Sequence, residues 1–156
     1  MSVELVLALG YGCERRGLPA KASYQRWALA ALAGARRRGC FALSLRLVGA
    51  DEGRQLNRDY RGKDYATNVL SFPADATMDG QRLIGDLALC APVIAREAGE
   101  QGKSTQAHHA HLTVHGVLHL LGYDHEDAAG AARMEALEIR ILAGLGYANP
   151  YEEFCP

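Results

Sequence analysis

From Phe41 to Val48 the chain alternates Phe41, Leu43, Leu45 and Leu47 with Ala42, Ser44, Arg46 and Val48. A period of two is the mark of a half-buried strand. Residues 3–9 form a Val- and Leu-rich run ended by Gly10, and residues 83–90 form another, so both are predicted as strands. Residues 67–72 are apolar and β-branched and stop at Pro73, which predicts a shorter strand there. The small, polar stretch 74–82, with Gly80, is predicted as a loop. Helical spacing appears over 23–38, with Trp27, Leu29, Ala30 and Leu32 as apolar positions and Gly39 as the stop. Further helices are predicted over 51–60, from Pro92 to about residue 100, and from a Ser104 or Thr105 cap to about Leu121, ended by Gly122. A last helix over 127–145 carries a buried stripe of Met134, Leu137, Ile141, Leu142 and Leu145. The pattern predicts an α+β fold: one sheet of about four strands packed with about five helices. The strand order stays open, with room for parallel pairs.

Composition narrows this picture modestly. A chain of 156 residues fits about one domain and is long enough to bury a core, so residues 1–156 are taken as one domain. The formal net charge of −1 gives no overall basic signal, so any nucleic-acid site has to come from local charge. Arg15-Arg16 and Arg36-Arg37-Arg38 can track an RNA backbone, although the second cluster equally suits the negative end of a helix dipole. Cys13, Cys40, Cys90 and Cys155 form no C-x-x-C pair and no zinc-finger spacing, which favours free thiols in a reducing compartment. No apolar run is long enough to span a membrane and the first residues do not form a signal peptide, so a cytoplasmic location is expected.

The histidines change the picture most. His115 and His119 are four apart, which puts both imidazoles on one helix face, one turn apart. His111 shares that face, but eight residues of helix span about 12 Å, while zinc–nitrogen bonds are about 2 Å. One ion cannot reach from His111 to His119. His125 can join them, because Gly122 can turn the chain back in a left-handed conformation. Three histidine ligands leave a fourth position for water, as in catalytic zinc sites. His108 and His109 read as solvent-facing residues near a helix start, and His111 either lines the site or lies neutral on the surface. The spacing is similar to the zincin motif H-E-x-x-H, but position 116 is Gly where a metallopeptidase carries its general base.

The segment from His115 to His125 resembles the signature of the YbeY family, bacterial endoribonucleases of rRNA maturation. Residues 56–73 (LNRDYRGKDYATNVLSFP), residues 84–90 (IGDLALC) and the set Met134-Glu135, Glu138, Ile141-Leu142 and Leu145-Gly146 resemble further family segments in the same order. The resemblance implies a compact α+β fold with one zinc ion per chain held by His115, His119 and His125 in a cleft at a helix C-terminus. It also implies single-strand-selective RNA cleavage in 16S rRNA 3′-end maturation and ribosome quality control. RNA, the small ribosomal subunit and ribosome-assembly proteins are the expected partners, with no membrane. The family's arginine falls on Arg61, the expected catalytic residue. Beside a metal, Arg61 can hold two oxygens of the scissile phosphate. Lys63 and His111 are candidate substrate contacts. Asp86 and Asp124 are candidates for supporting or turn-forming roles. Two rival readings stay open: another zinc hydrolase such as a metallopeptidase, and a non-catalytic, zinc-stabilised RNA- or ribosome-binding module.

Overall fold

The computed structural model describes residues 2–124 and 126–152. Four strands and five helices follow in the order β1 (Val3–Gly12), α1 (Lys21–Gly34), β2 (Gly39–Val48), α2 (Ala50–Arg61), β3 (Val69–Met78), β4 (Gln81–Cys90), α3 (Ala91–Glu100), α4 (Thr105–Leu120) and α5 (Ala128–Gly144). The strands form one sheet in the order β1-β2-β4-β3. β1–β2 and β2–β4 are parallel, each joined through helices, and β3 pairs antiparallel with β4. The expected α+β architecture is therefore present, and the predicted room for parallel pairing is used twice.

Alternation fixes which face of the sheet is buried. Leu5 and Leu7 of β1 and Phe41, Leu43, Leu45 and Leu47 of β2 all point into the main core. In β4 the parity changes, since Ile84 is buried and so are Leu87 and Leu89. One extra residue between Leu83 and Gly85 accounts for it, because Ala42 pairs with Leu83 while Leu43 pairs with Gly85. A single-residue bulge exchanges the two faces of a strand. Gly85 sits there at φ +144, and a Cβ on it would collide with the Phe72 carbonyl oxygen, so only glycine fits.

Residues 74–82 are not the predicted loop. β3 runs on to Met78 and turns into β4 through Asp79 and Gly80, with φ +55 and +76. Positive φ at both central residues is the type I′ hairpin that Asp-Gly favours. Pro73 does not end the strand because β3 lies at the sheet edge, and the register shifts just after Pro73.

Helix α4 lies against the sheet and is buried almost all round. From His108 to Leu120 the partly exposed positions are His111, His115 and His119, and every other residue is buried. Ser104 caps its start by accepting from the Ala107 N–H at 3.0 Å. Gly122, at φ +101, ends it: the Gly122 N–H bonds to the His119 carbonyl and the Tyr123 N–H to that of Leu118. That pair of bonds is a Schellman motif. Asp127 starts α5 by accepting from the Gly130 N–H at 2.6 Å. Among the described residues no helix is long and apolar enough to cross a membrane. Cys13, Cys40 and Cys90 are free thiols, as expected, and Cys155 lies outside the described residues.

Candidate metal centre and cleft

The exposed stripe on an otherwise buried helix is where the chemistry collects. His115 and His119 face a cleft of about 600 Å³ with their ring centroids 4.7 Å apart. The opposite wall is the C-terminal end of α2, Tyr60 and Arg61, and the floor is the stretch from Thr67 to Pro73. Arg61 is thus brought to the two histidines from 54 residues earlier in the sequence. Lys63 is exposed and His111 is partly buried, and neither is among the residues lining this cleft. His125, the third expected ligand, lies outside the described residues.

The loop after Arg61 is braced against α2. Arg54 forms a bidentate pair with Asp64, at 2.7 and 2.9 Å, and the buried Asn57 donates from Nδ2 to the Tyr65 carbonyl at 2.7 Å. The Arg54 guanidinium holds the Asp64 carboxyl below its usual range. On the far side, Asn68 donates to Glu97 Oε1 at 2.9 Å, and the same oxygen meets His108 Nε2 at 2.9 Å.

Behind His115 sits a carboxylate that sequence reasoning assigned no role. Glu138, on α5, is fully buried. Its Oε1 lies 2.6 Å from His115 Nδ1 and 3.5 Å from His111 Nε2, and the Tyr151 hydroxyl donates to Oε2 at 2.6 Å. Burial alone would raise the Glu138 carboxyl, but hydrogen bonds from the two histidines and Tyr151 outweigh it and bring its pKa down to about 2. An ionised carboxylate only accepts, so His115 Nδ1 carries the proton and donates. The available signal was positional: Glu138 interrupts the Met134, Leu137, Ile141, Leu142 stripe, and a charge on a buried stripe requires a partner.

His111, His115 and Glu138 place their nearest ligand atoms within 4.8 Å of one another, so a group able to hold a metal is present. The 2.6 Å contact from His115 to Glu138 is nevertheless a charge-assisted hydrogen bond, the arrangement in which a carboxylate orients a metal-ligating histidine through its other nitrogen. The donor chemistry of the described residues fits a metal on that reading as well.

His108 and His109 are not solvent-facing as their sequence context suggests. Both are buried: His108 meets Glu97, and His109 Nδ1 shares a hydrogen bond of 3.0 Å with the Tyr24 hydroxyl. Burial, reinforced by His108, lowers the His109 pKa to about 4. Asp124 shapes the turn after α4, accepting from the Glu126 N–H at 2.7 Å. Asp86 is exposed on β4 and pairs with Ser44 and Phe72 in the ladder. Gly116 has a packing reason: a Cβ there would lie 2.7 Å from Leu87 Cδ2, so any side chain at this position requires the buried Leu87 side chain to shift.

Sequence comparison decides the family. The family model described as Endoribonuclease YbeY matches residues 16–146. The chain belongs to the YbeY family. Relatives named Endoribonuclease YbeY include one from Stenotrophomonas maltophilia (strain R551-3), 58% identical over 96% of this chain and 94% of that protein. Another, from Alkalilimnicola ehrlichii, is 59% identical over 88% of this chain and 84% of its own length. The solution structure of TM1509 from Thermotoga maritima shares the fold, with a TM-score of 0.57 at 20% identity, covering 95% of this chain and all of that one. The YbeY segments quoted above fall where the cleft is built: residues 56–73 supply one wall and the floor, and α4 the other wall.

Proposed function

We propose that this chain acts as one zinc-dependent endoribonuclease domain, cleaving single-stranded RNA in the cleft between α2, β3 and α4. The observation that carries the reading is the convergence of His115, His119 and Arg61 on one cleft, with Glu138 buried behind His115. Family membership supports the RNA-cleaving class, since the relatives carry the name Endoribonuclease.

In this reading His115, His119 and His125 hold the ion, and His111 with Glu138 forms the layer behind them. Bound there, a zinc ion supplies Lewis acidity to a phosphoryl oxygen and lowers the pKa of water. Glu138 keeps the His115 ring in one orientation and one tautomer by holding the Nδ1 proton. Tyr151 in turn fixes the carboxylate through Oε2. Arg61 neutralises and orients the scissile phosphate, and Lys63 lends charge at the cleft's approach. The packing of Gly116 against Leu87 weighs against a metallopeptidase, which needs a glutamate at that position. The role extends to 16S rRNA 3′-end maturation and ribosome quality control in the cytoplasm, with the small subunit and ribosome-assembly proteins as partners.

The test combines metal analysis with cleavage. His115→Ala is expected to lose zinc and RNA cleavage together, whereas Arg61→Ala is expected to keep zinc and lose cleavage by on the order of a hundredfold. Full zinc occupancy in His115→Ala would remove that ligand, and unchanged kinetics in Arg61→Ala would remove Arg61 from the site. A chelator that unfolds the protein, with no cleavage ever measured above the ligand-mutant background, would favour the non-catalytic binding module. In a deletion strain, unprocessed 16S precursor should accumulate and be rescued by wild type but not by His115→Ala.

A further inference from the structure

Away from the cleft, five arginines gather on one side of the molecule. Arg36, Arg133 and Arg140 line a groove of about 340 Å³ between the end of α1 and α5, together with Tyr123. Arg133 and Arg140 are seven residues apart on α5, so they lie on one helix face about 10.5 Å apart along the axis. No acidic residue lines this groove among the described residues, and none of the three guanidinium groups forms an ion pair with another described residue.

The groove is continuous at both ends. Tyr123 and Arg133 also line an adjoining depression bounded by Gly122, in the turn that follows His119 and α4. The two carboxylates in that depression, on Asp124 and Asp127, are each engaged by a backbone N–H, of Glu126 and Gly130. At the other end Arg36 also lines a depression with Arg37 and Arg38. Arg37 ties the two regions together by donating to the Leu121 carbonyl, one residue before Gly122, at 3.3 Å. An arginine-rich track therefore runs over α5 and the end of α1, and at its α4 end it meets the depression that holds Arg133, Asp124 and Asp127.

On a chain whose net charge is −1, this gathering of arginines with no ion pair among the described residues is a local field that selects a polyanion. Planar guanidinium forks suit phosphate, and a tyrosine beside them offers a stacking surface to an unpaired base. We propose that this groove is a second RNA subsite, holding the ribose-phosphate backbone of the substrate strand beyond the cleft through Arg36, Arg133 and Arg140. The proposal rests on the endoribonuclease reading for the identity of the polyanion. An acidic protein surface is the competing occupant, and continuity with the turn after His119 favours the strand being cleaved.

The experiment uses zinc-loaded full-length protein and two single-stranded RNAs, one short enough to fill the cleft alone and one extended at both ends. Binding is measured across a salt series and cleavage in parallel. The charge reversal Arg36→Glu/Arg133→Glu/Arg140→Glu should weaken binding of the long RNA at least tenfold and lower the salt slope by about 2, since each single-strand phosphate contact contributes about 0.7. Binding and cleavage of the short RNA should stay at wild-type level. Arg133→Ala and Arg140→Ala, on the exposed face of α5, each lower the slope by about 0.7 and keep the test available if the triple variant misfolds. Long-RNA affinity and slope equal to wild type would overturn the subsite. So would retained RNA binding together with lost binding to purified ribosomal subunits, which would give the groove to a protein. If the groove variants lose long-RNA binding while no protein, wild type included, cleaves RNA, the subsite stands and the endoribonuclease reading falls.

Discussion

Replacing Glu138 with glutamine removes one charge from the layer behind His115 and almost nothing else. The carboxylate accepts short hydrogen bonds, both 2.6 Å, from His115 Nδ1 and the Tyr151 hydroxyl. Glutamine offers one accepting oxygen, so it can still hold His115 if its amide nitrogen turns to Tyr151, whose hydroxyl can accept instead. Hydrogen bonds to a charged group contribute about 1.5–3 kcal/mol against about 0.5–1.5 kcal/mol for neutral ones, so Glu138→Gln should cost about 1–2 kcal/mol of fold stability. The larger effect is on the metal. Losing the carboxylate that holds a ligating histidine typically weakens binding 10- to 100-fold, or about 1.4–2.7 kcal/mol. Competition with a chromogenic zinc chelator measures the affinity, and thermal unfolding of the metal-free protein measures the fold separately. A folded Glu138→Gln protein with wild-type zinc affinity would refute the reasoning. The variant also separates two ligand sets. If His111, His115 and Glu138 held the ion, Glu138→Gln would abolish binding and His119→Ala would leave it intact; with His115, His119 and His125 as ligands, His119→Ala is the one that abolishes it.

Three further outcomes are expected. Gly116→Glu places a Cβ 2.7 Å from Leu87 and should destabilise the fold by about 1–3 kcal/mol or more without creating peptidase activity; an unchanged melting temperature would contradict the packing argument. His109 has a pKa of about 4 against 6.5 unfolded, so its neutral form belongs to the fold: its contribution is complete above pH 6.5 and is lost as the pH falls to 4, by about 3 kcal/mol. Denaturant titrations across that window should show a steeper acid loss for wild type than for His109→Gln, and equal slopes would refute it. Asp127→Ala removes the cap that accepts from Gly130 and should cost about 1 kcal/mol; a change in midpoint below a few tenths would assign the α5 start to packing alone.

Much of the fold was legible because local rules decided it. Gly122 was expected to turn left-handed, and it does, in a full Schellman motif. The Leu/Phe alternation of β2 and the caps at Ser104 and Asp127 are local in the same sense. The misreadings were long-range. Pro73 stops a strand only if that strand is interior, and the sequence does not say that β3 is an edge. His108 and His109 look exposed until Glu97 and Tyr24, from other helices, are brought against them. Of the candidate site, spacing and resemblance singled out His115, His119 and Arg61, and the fold brings these three to one cleft. Glu138 did not, because its role exists only once α5 packs behind α4.

Gly116 also bears on how such a site can change over generations. A glutamate at this position, the residue that marks metallopeptidases of similar histidine spacing, would have to displace the buried Leu87 side chain from the sheet interface. The route from this site to peptide hydrolysis therefore includes a repacking of the interface between α4 and the sheet, besides the new carboxylate. Core packing thus adds a barrier of its own between this chemistry and its neighbour in sequence space.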